Sequence, residues 1–333
     1  MVSSFTWIIV ILLLAGLSFP YFFKLKMPGK CYAGARQPLS TKEEKLKQQL
    51  KKHVYKLGEE IGERNLWEYA NLEETANYIK DCLTSQGYSV ETQVFPIQGK
   101  VFKNLEVEIP GAKKPDEIVV IGAHYDSVYG CPAANDNATG VAGILELAGI
   151  FLHKKPARTL RFVAFVNEEP PFFQTHNMGS LKYALRCKER EEKVVAMLSL
   201  ETMGYYSDAA GSQKYPFPLN FFYPNTANFI AFVSDNSSKK LLEFCISSFR
   251  NNCKFPSEGA VAPSIIPGIS WSDHWSFWKA GYPAVLITDT ALFRYAHYHL
   301  ASDTPDKVDY AALSLVLSGL CPVIEELCNS DEL

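Results

Sequence analysis

The chain has 333 residues, 47% of them apolar, and its 33 Lys and Arg against 36 Asp and Glu leave a formal net charge of -3. That length and apolar share suffice for one large α/β domain or two ordinary ones. The near-neutral balance offers no electrostatic footprint for nucleic acid and argues against that class of partner.

Residues 5–23 carry no charge and are dominated by Ile, Leu, Val and Phe. At about 1.5 Å per residue such a run is just long enough to cross a hydrocarbon core. It is long for a signal-peptide core, no Lys or Arg precedes it, and the small-residue site Ala33-Gly34-Ala35 lies well beyond its end. Residues 1–25 therefore read as a transmembrane anchor in preference to a cleaved signal segment. Lys24, Lys26 and Lys30 follow, a bias that would keep the C-terminal side cytoplasmic. A long folded domain overrides so small a bias. The expectation is an extracytoplasmic catalytic domain (periplasmic, extracellular or lumenal), secreted if the segment is cleaved. Residues 26–39 read as a linker, and 40–333 as one catalytic domain.

Ser40 and Glu43 make a capping-box pattern ahead of a helix whose Leu46, Leu50, Val54 and Leu57 share one face. A second helix, about 71–86, buries Leu72, Ala76, Ile79 and Leu83 and stops at Gly87. Residues 88–97 and 105–109 alternate like half-buried strands, whereas 118–121 is continuously apolar, as in a strand covered on both faces. Helix 138–151, strand 159–166, a helix of about 179–186 and strand 194–200 then alternate. Strand 284–288 and an amphipathic helix of about 308–328 come last. The alternation implies an α/β fold, a mostly parallel mixed central sheet with helices on both faces. The eight cysteines contain no C-x-x-C pair, which argues against a structural zinc knuckle. Cys245 and Cys253 could close a short loop, and buried free thiols are the equal alternative.

Each apolar strand after residue 117 runs into acids or histidines. Residues 122–140, GAHYDSVYGCPAANDNATG, supply His124, Asp126 and Asp136. Strand 159–166 leads to Glu168 and Glu169, and strand 194–200 to Glu201. Ser272-Asp273-His274 precedes the last strand, and His297-Tyr298-His299 follows it. Ligands of open α/β sheets bind at the carboxyl ends of the strands. Acids gathered there repel one another unless a cation neutralises them. Two divalent ions sharing a carboxylate fit this inventory, since His and carboxylate oxygens are ordinary zinc ligands. Of the neighbours Glu168 and Glu169, one can ligate while the other takes a proton from a metal-bound water. Asp273 could instead cap a helix over 276–280. His274 reads as a core histidine, and Trp271, Trp275, Phe277 and Trp278 as mostly core, with one or two free to line an apolar pocket. Asn137-Ala138-Thr139 matches a glycosylation sequon, but its place in the metal loop argues against modification.

The segments GAHYDS, ANDNATG, VNEEPPFF with MGS, SLETMGYY, SDH and YHLASDTPDKVDY, in this order over about residues 50–328, resemble the co-catalytic zinc aminopeptidase family. That family includes bacterial leucyl aminopeptidases and, as a divergent branch, glutaminyl cyclases. The resemblance implies a zinc exopeptidase-like fold, two zinc ions and peptide substrates with a free N-terminus. It makes His124 the first metal's histidine, Asp136 the bridging carboxylate, Glu168 the general base, and Glu169 with His299 ligands of the second metal. Glu201 stands where many members carry an aspartate, and Asp126 where an acid orients the first histidine. The pattern after His299, Ser302-Asp303-Thr304-Pro305, favours His299 over His297. Some members place a tyrosine just before SDH to support the oxyanion; here Ile269-Ser270-Trp271 has none. Asp273, Tyr205 and Tyr298 are the candidates for the substrate pocket. The implied activity is hydrolysis of the N-terminal peptide bond through a metal-bound water activated by Glu168. The alternatives are a single-zinc glutaminyl-peptide cyclotransferase and an inactive membrane-anchored binding module on a peptidase fold.

Overall fold

The computed structural model describes residues 27–217 and 219–331, so the expected anchor at 1–25 lies outside the described residues. Eight strands form one sheet: β1 (Glu91–Ile97), β2 (Lys100–Ile109), β3 (Lys114–His124), β4 (Arg158–Phe165), β5 (Lys193–Glu201), β6 (Ile230–Ser234), β7 (Ser257–Val261) and β8 (Ala284–Thr288). Their spatial order is β1-β2-β4-β3-β5-β8-β6-β7. Strands β4, β3, β5 and β8 are parallel and central. The β1–β2 hairpin joins antiparallel at one side, and β6 joins antiparallel to β8 at the other, with β7 parallel to β6. The helices are α1 (Thr41–Tyr55), α2 (Tyr69–Gln86), α3 (Thr139–Phe151), α4 (Gly179–Glu189), α5 (Lys239–Asn252), α6 (His274–Ala280) and α7 (Tyr310–Asn329).

Strand β3 shows how the two faces are filled. Val119 and Ile121 enter the larger core with α1, α2, α3, α5 and α7, while Ile118 and Val120 face the smaller core beneath α4 and α6. A strand apolar on both sides has no exposed face, which is why 118–121 reads as an unbroken apolar run. Helix α1 begins at the expected capping box: the Ser40 hydroxyl accepts from the Glu43 amide, and the Glu43 carboxylate accepts from the Ser40 amide. Helix α7 is apolar and long enough to span a membrane, yet 67% of its most apolar stretch is buried in this fold. Residues 27–39 have no regular structure; Met27 packs on the larger core, and the Pro28 carbonyl accepts from Arg250 at 3.0 Å.

Three elements go beyond the sequence reading: β6, α5 and β7. Strand β6 is only five residues, all buried, and β7 reads Ser-Glu-Gly-Ala-Val, with little apolar signal. Their partners hold them in place, through ladders to β8 and to each other. Tertiary pairing here overrides weak local preference. All eight cysteines are free thiols, so Cys245 and Cys253 do not close a loop; Cys245 is packed in the core.

His53 on α1 ties three helices together. Its Nδ1 lies 2.7 Å from the Tyr78 hydroxyl on α2, and its Nε2 lies 3.0 Å from Glu146 on α3. Burial works against its charge, but Cys82 and the Glu146 carboxylate more than offset this and hold the imidazolium up to about 9. A group raised in the folded state stabilises fully below its unfolded value of about 6.5 and stops doing so as pH rises through about 9. The urea midpoint should therefore fall between pH 6.5 and 9, and His53→Gln should flatten that part of the profile. An unchanged slope in the variant would assign the pH dependence elsewhere.

Candidate metal centre

The parallel strands deliver the chemistry to one edge. His124 ends β3, Glu168 and Glu169 follow β4, Glu201 ends β5, and the segment after β8 brings back His299. Asp136 lies at the centre. Its Oδ1 is 3.3 Å from His124 Nε2, and its Oδ2 is 3.1 Å from His299 Nε2. Glu201 Oε2 is 3.2 Å from His124 Nε2, and Glu169 Oε1 is 3.3 Å from His299 Nε2. His124, Asp136 and Glu169 each offer a ligand atom within 4.8 Å of the others. Two half-sites thus share one aspartate: His124 with Glu201, and His299 with Glu169.

The residues fit a metal by their hydrogen bonding as well as by spacing. Asp136 Oδ2 and Glu169 Oε1 are buried without a hydrogen-bond partner. Such acceptors are costly to bury unless a cation or proton meets them. His124 Nδ1 faces the Asp126 backbone carbonyl at 3.2 Å, which leaves Nε2 free to ligate. The same crowding governs protonation. Burial, with Asp136 adding, pushes the Glu201 carboxyl up to about 8. Burial opposes charge on His299, but Asp136 and Glu169 hold it up to about 11. Protons on these histidines compensate the acids in the way a bound dication would.

A second layer of contacts aims the ligands. The Asp126 carboxylate accepts from the amides of Glu168 and Glu169, both at 3.0 Å, and its Oδ1 lies 3.6 Å from His124 Nδ1, so it fixes the β4 loop and, with its backbone carbonyl, faces the ring that it was expected to orient. Asp303 accepts from the Asn135 amide at 2.9 Å and the Asp136 amide at 3.1 Å, and receives the Tyr295 hydroxyl at 2.7 Å. Asn137 accepts from the amides of Gly140 and Thr202 and donates to the Leu200 carbonyl, joining the start of α3 to the end of β5. A Cβ on Gly140 would collide with the Asn137 side chain and the Leu200 carbonyl, so that helix start requires glycine. The buried Arg64 guanidinium donates to the carbonyls of Tyr125, Pro132 and Ala133, clamping the loop that leads to Asp136. Ser272 donates to Glu201 Oε2 at 2.8 Å. Asn167, Thr202 and His299 take left-handed backbone angles (φ 61°, 38° and 59°), an unfavourable geometry for residues with a Cβ that recurs at functional sites.

Beside the ligands a cavity of about 240 Å³ is lined by Glu168, Pro170, Phe173, Trp271 and Tyr298 among others. Tyr298 stacks on His299 at 3.8 Å. Tyr205 and Asp273 do not line it. The Tyr205 ring packs on Tyr295, and its backbone amide donates to Asp289. Asp273 is wholly buried at the start of α6 and does not cap it; burial pushes its carboxyl up to about 7. His274 is a core residue facing the Ile269 carbonyl at 2.8 Å, and His297 is drawn off to Ser302 at 2.9 Å. Asn137 of the sequon is fully buried. Arg64 carried no sequence signal, and Asp303 stood out only as part of the Ser302–Pro305 pattern; their roles are set by backbone groups of other segments.

Residues 104–323 match the profile of peptidase family M28. The chain belongs to that family. It is 37% identical over 292 residues to the "Uncharacterized protein YfbL" of Escherichia coli K12, covering 85% of this chain and 88% of that one. A Leptosphaeria maculans protein named "Probable zinc metalloprotease" is 24% identical over 240 residues, 65% of this chain, and the match spans about half (54%) of the fungal protein. Among solved structures, BSAP, a zinc aminopeptidase from Bacillus subtilis, superposes with a TM-score of 0.69 at 14% identity, covering 86% of this chain and 96% of that one. The glutaminyl cyclase of Fimbriiglobus ruber superposes with a TM-score of 0.63 at 19% identity, covering 88% and 97%. At those identities the likeness establishes the zinc exopeptidase-like fold.

Because Asp303 holds the two amides that set Asp136, Asp303→Ala should weaken zinc binding about 10–100-fold in chelator competition, the usual penalty for losing an outer support. Wild-type affinity in that variant would show the Asp136 loop to be self-supporting.

Proposed function

We propose that the protein is a two-zinc aminopeptidase that removes the N-terminal residue of peptides. The carrying observation is the placement of Asp136 between two histidine–glutamate half-sites, with one oxygen toward each. His124, Asp136 and Glu201 would hold one ion, and His299, Asp136 and Glu169 the other. When bound, zinc supplies Lewis acidity toward the scissile carbonyl and toward water. Glu168 lines the cavity beside the ligands without joining the shared triangle around Asp136. Burial raises its carboxyl well above the usual range, with Glu169 and Glu201 adding and His124 opposing. A raised carboxyl holds a proton more readily than an ordinary glutamate, as a group that accepts and returns a water proton must.

Glu168 takes a proton from the attacking water as the water oxygen bonds to the carbonyl carbon. The C–N bond then breaks, and Glu168 returns that proton to the leaving nitrogen. The acids around the second half-site favour the cationic amine of a free N-terminus, which selects chain ends. Glu168→Gln should keep the zinc content and lower kcat by about 10²–10⁴-fold. Full activity in that variant would overturn the assignment of the base.

A second reading is a single-zinc glutaminyl cyclotransferase, favoured by Glu201 in a position where the resembling aminopeptidases have aspartate. There the N-terminal amine attacks the glutamine side-chain carboxamide and releases ammonia without water. Two zinc ions per chain with release of amino acids support the first reading. One zinc with conversion of N-terminal glutamine to pyroglutamate supports the second.

The proposal includes tethering through residues 1–25 with the catalytic domain outside the cytoplasm. Carbonate extraction of the full-length chain should leave it in the membrane pellet, and protease added to intact cells or sealed vesicles should reach the domain from the extracytoplasmic side. Release by carbonate would remove the anchor from the proposal.

A further inference from the structure

A second, mostly apolar cavity adjoins the metal pocket, and Glu201, Trp271 and Tyr298 line both. Tyr215, Pro216, Leu219 and Tyr223 form part of its wall. Leu219 is buried there, whereas Phe217 and Phe221 face solvent. They are 77% and 71% exposed, and their rings meet edge-on at 6.1 Å. Keeping two adjacent phenyl rings in water is costly, and such a patch marks contact with another apolar phase.

This wall is fixed to β7, the strand at the end of the sheet, where the Tyr223 hydroxyl donates to the Gly259 carbonyl at 3.0 Å. Gly259 also meets the start of the described chain: a Cβ there would stand 2.7 Å from Met27 Cγ. Arg250 secures the same entry, donating to the carbonyls of Pro28 at 3.0 Å and Ser257 at 2.8 Å. One residue of the edge strand therefore touches both the segment that carries Phe217 and Phe221 and the chain arriving from residues 1–25. Another exposed aromatic pair, Trp67 and Tyr129, with ring centroids 5.3 Å apart, is remote from that entry. The carbonyl of Leu66, next to Trp67, accepts from Lys100 of β2, and β2 lies six strands from β7, roughly 29 Å at about 4.8 Å per strand.

The covalent reach of the chain decides what covers the two rings. The uncharged run ends at Phe23, four residues before Met27, and four residues span at most about 14 Å when fully extended. The headgroup layer of a bilayer is itself about 5–8 Å deep. With residues 5–23 in a membrane, β7 and the aromatic pair beside it stand at the lipid surface. The charges agree. Lys30, Arg250 and Lys254 line the groove at the chain's entry, no carboxylate lines it among the described residues, and Lys24 and Lys26 precede it in sequence. Such cations suit lipid phosphates, and phenyl rings suit the boundary between headgroups and acyl chains. We infer that Phe217 and Phe221 rest in the headgroup layer of the membrane that holds residues 1–25, so that the cavity wall beside the metal centre lies against lipid. The inference rests on the tethering included in the proposed function.

The test uses the full-length chain in vesicles of phosphatidylcholine and phosphatidylglycerol in equal parts, with a photoactivatable lipid whose diazirine sits near the headgroup. After irradiation, lipid adducts mapped by mass spectrometry should be about tenfold more abundant on the peptide carrying Phe217 and Phe221 than on those carrying Trp67 and Tyr129. Phe217→Ser combined with Phe221→Ser should lose most of those adducts and keep the wild-type zinc content. Circular dichroism checks folding of that variant, and the wild-type map decides should it fail to fold. Adducts confined to residues 1–25, as a second copy or another protein covering the rings would give, would overturn the membrane face and leave the tether standing. Equal adducts on the two aromatic pairs would do the same. Adducts on the Phe217 and Phe221 peptide with none in residues 1–25 would overturn the tether and keep the face. Absence of adducts throughout the chain would overturn both.

Discussion

Four carboxylates and a histidine, Asp136, Glu168, Glu169, Glu201 and His124, are buried together at one edge of the sheet, with half-buried His299 closing over them. Charge so concentrated away from water is unstable by itself, and the architecture around it is arranged to hold it. Asp126 and Asp303 spend their acceptors on backbone amides of the ligand loops, and Arg64 answers the carbonyls of the loop before Asp136. Left-handed backbone lies at Asn167, just before Glu168 and Glu169, and at Thr202, just after Glu201, so the chain turns sharply where each strand delivers its acids. The protein accepts local strain and desolvated charge here because a bound metal repays both.

Glu201 illustrates how such support resolves an ambiguity of residue type. A glutamate has one more rotatable bond than aspartate, and alone it would sample several directions. Ser272 donates to its Oε2, and Asn137 approaches the same oxygen, so the carboxylate is drawn toward His124. The longer side chain is thereby held in one direction, as a ligand would have to be. Glu201 also borders a second, mostly apolar cavity beside the metal pocket.

Much of this was legible along the chain. Apolar runs of four to eight residues marked the central strands, and the capping box at Ser40 marked the first helix. Acids directly after buried strands marked the metal loops, because few other roles make them tolerable there. Strands β6 and β7 were not legible: each is short, and its stability comes from ladders with strands distant in sequence. The supports were hidden for a related reason. Asn137 and Asp303 lie in recognisable segments, but they act with Arg64 on backbone groups of other segments, which leave no side-chain pattern to reveal those roles. Asp273 misled in the opposite direction. It looked like a helix cap or a pocket residue and is a buried acid that does neither.

The sequence by itself determined the class of fold, the family and the six residues gathered around the metal centre, because burial periodicity and residue chemistry are local properties that spacing preserves. Only the tertiary structure decided that Glu201 faces His124 and Glu169 faces His299, and that Tyr298, not Tyr205 or Asp273, lines the cavity beside them. Those outcomes depend on strand order and register, which are set by packing between segments far apart in the chain and are therefore absent from any single stretch of it.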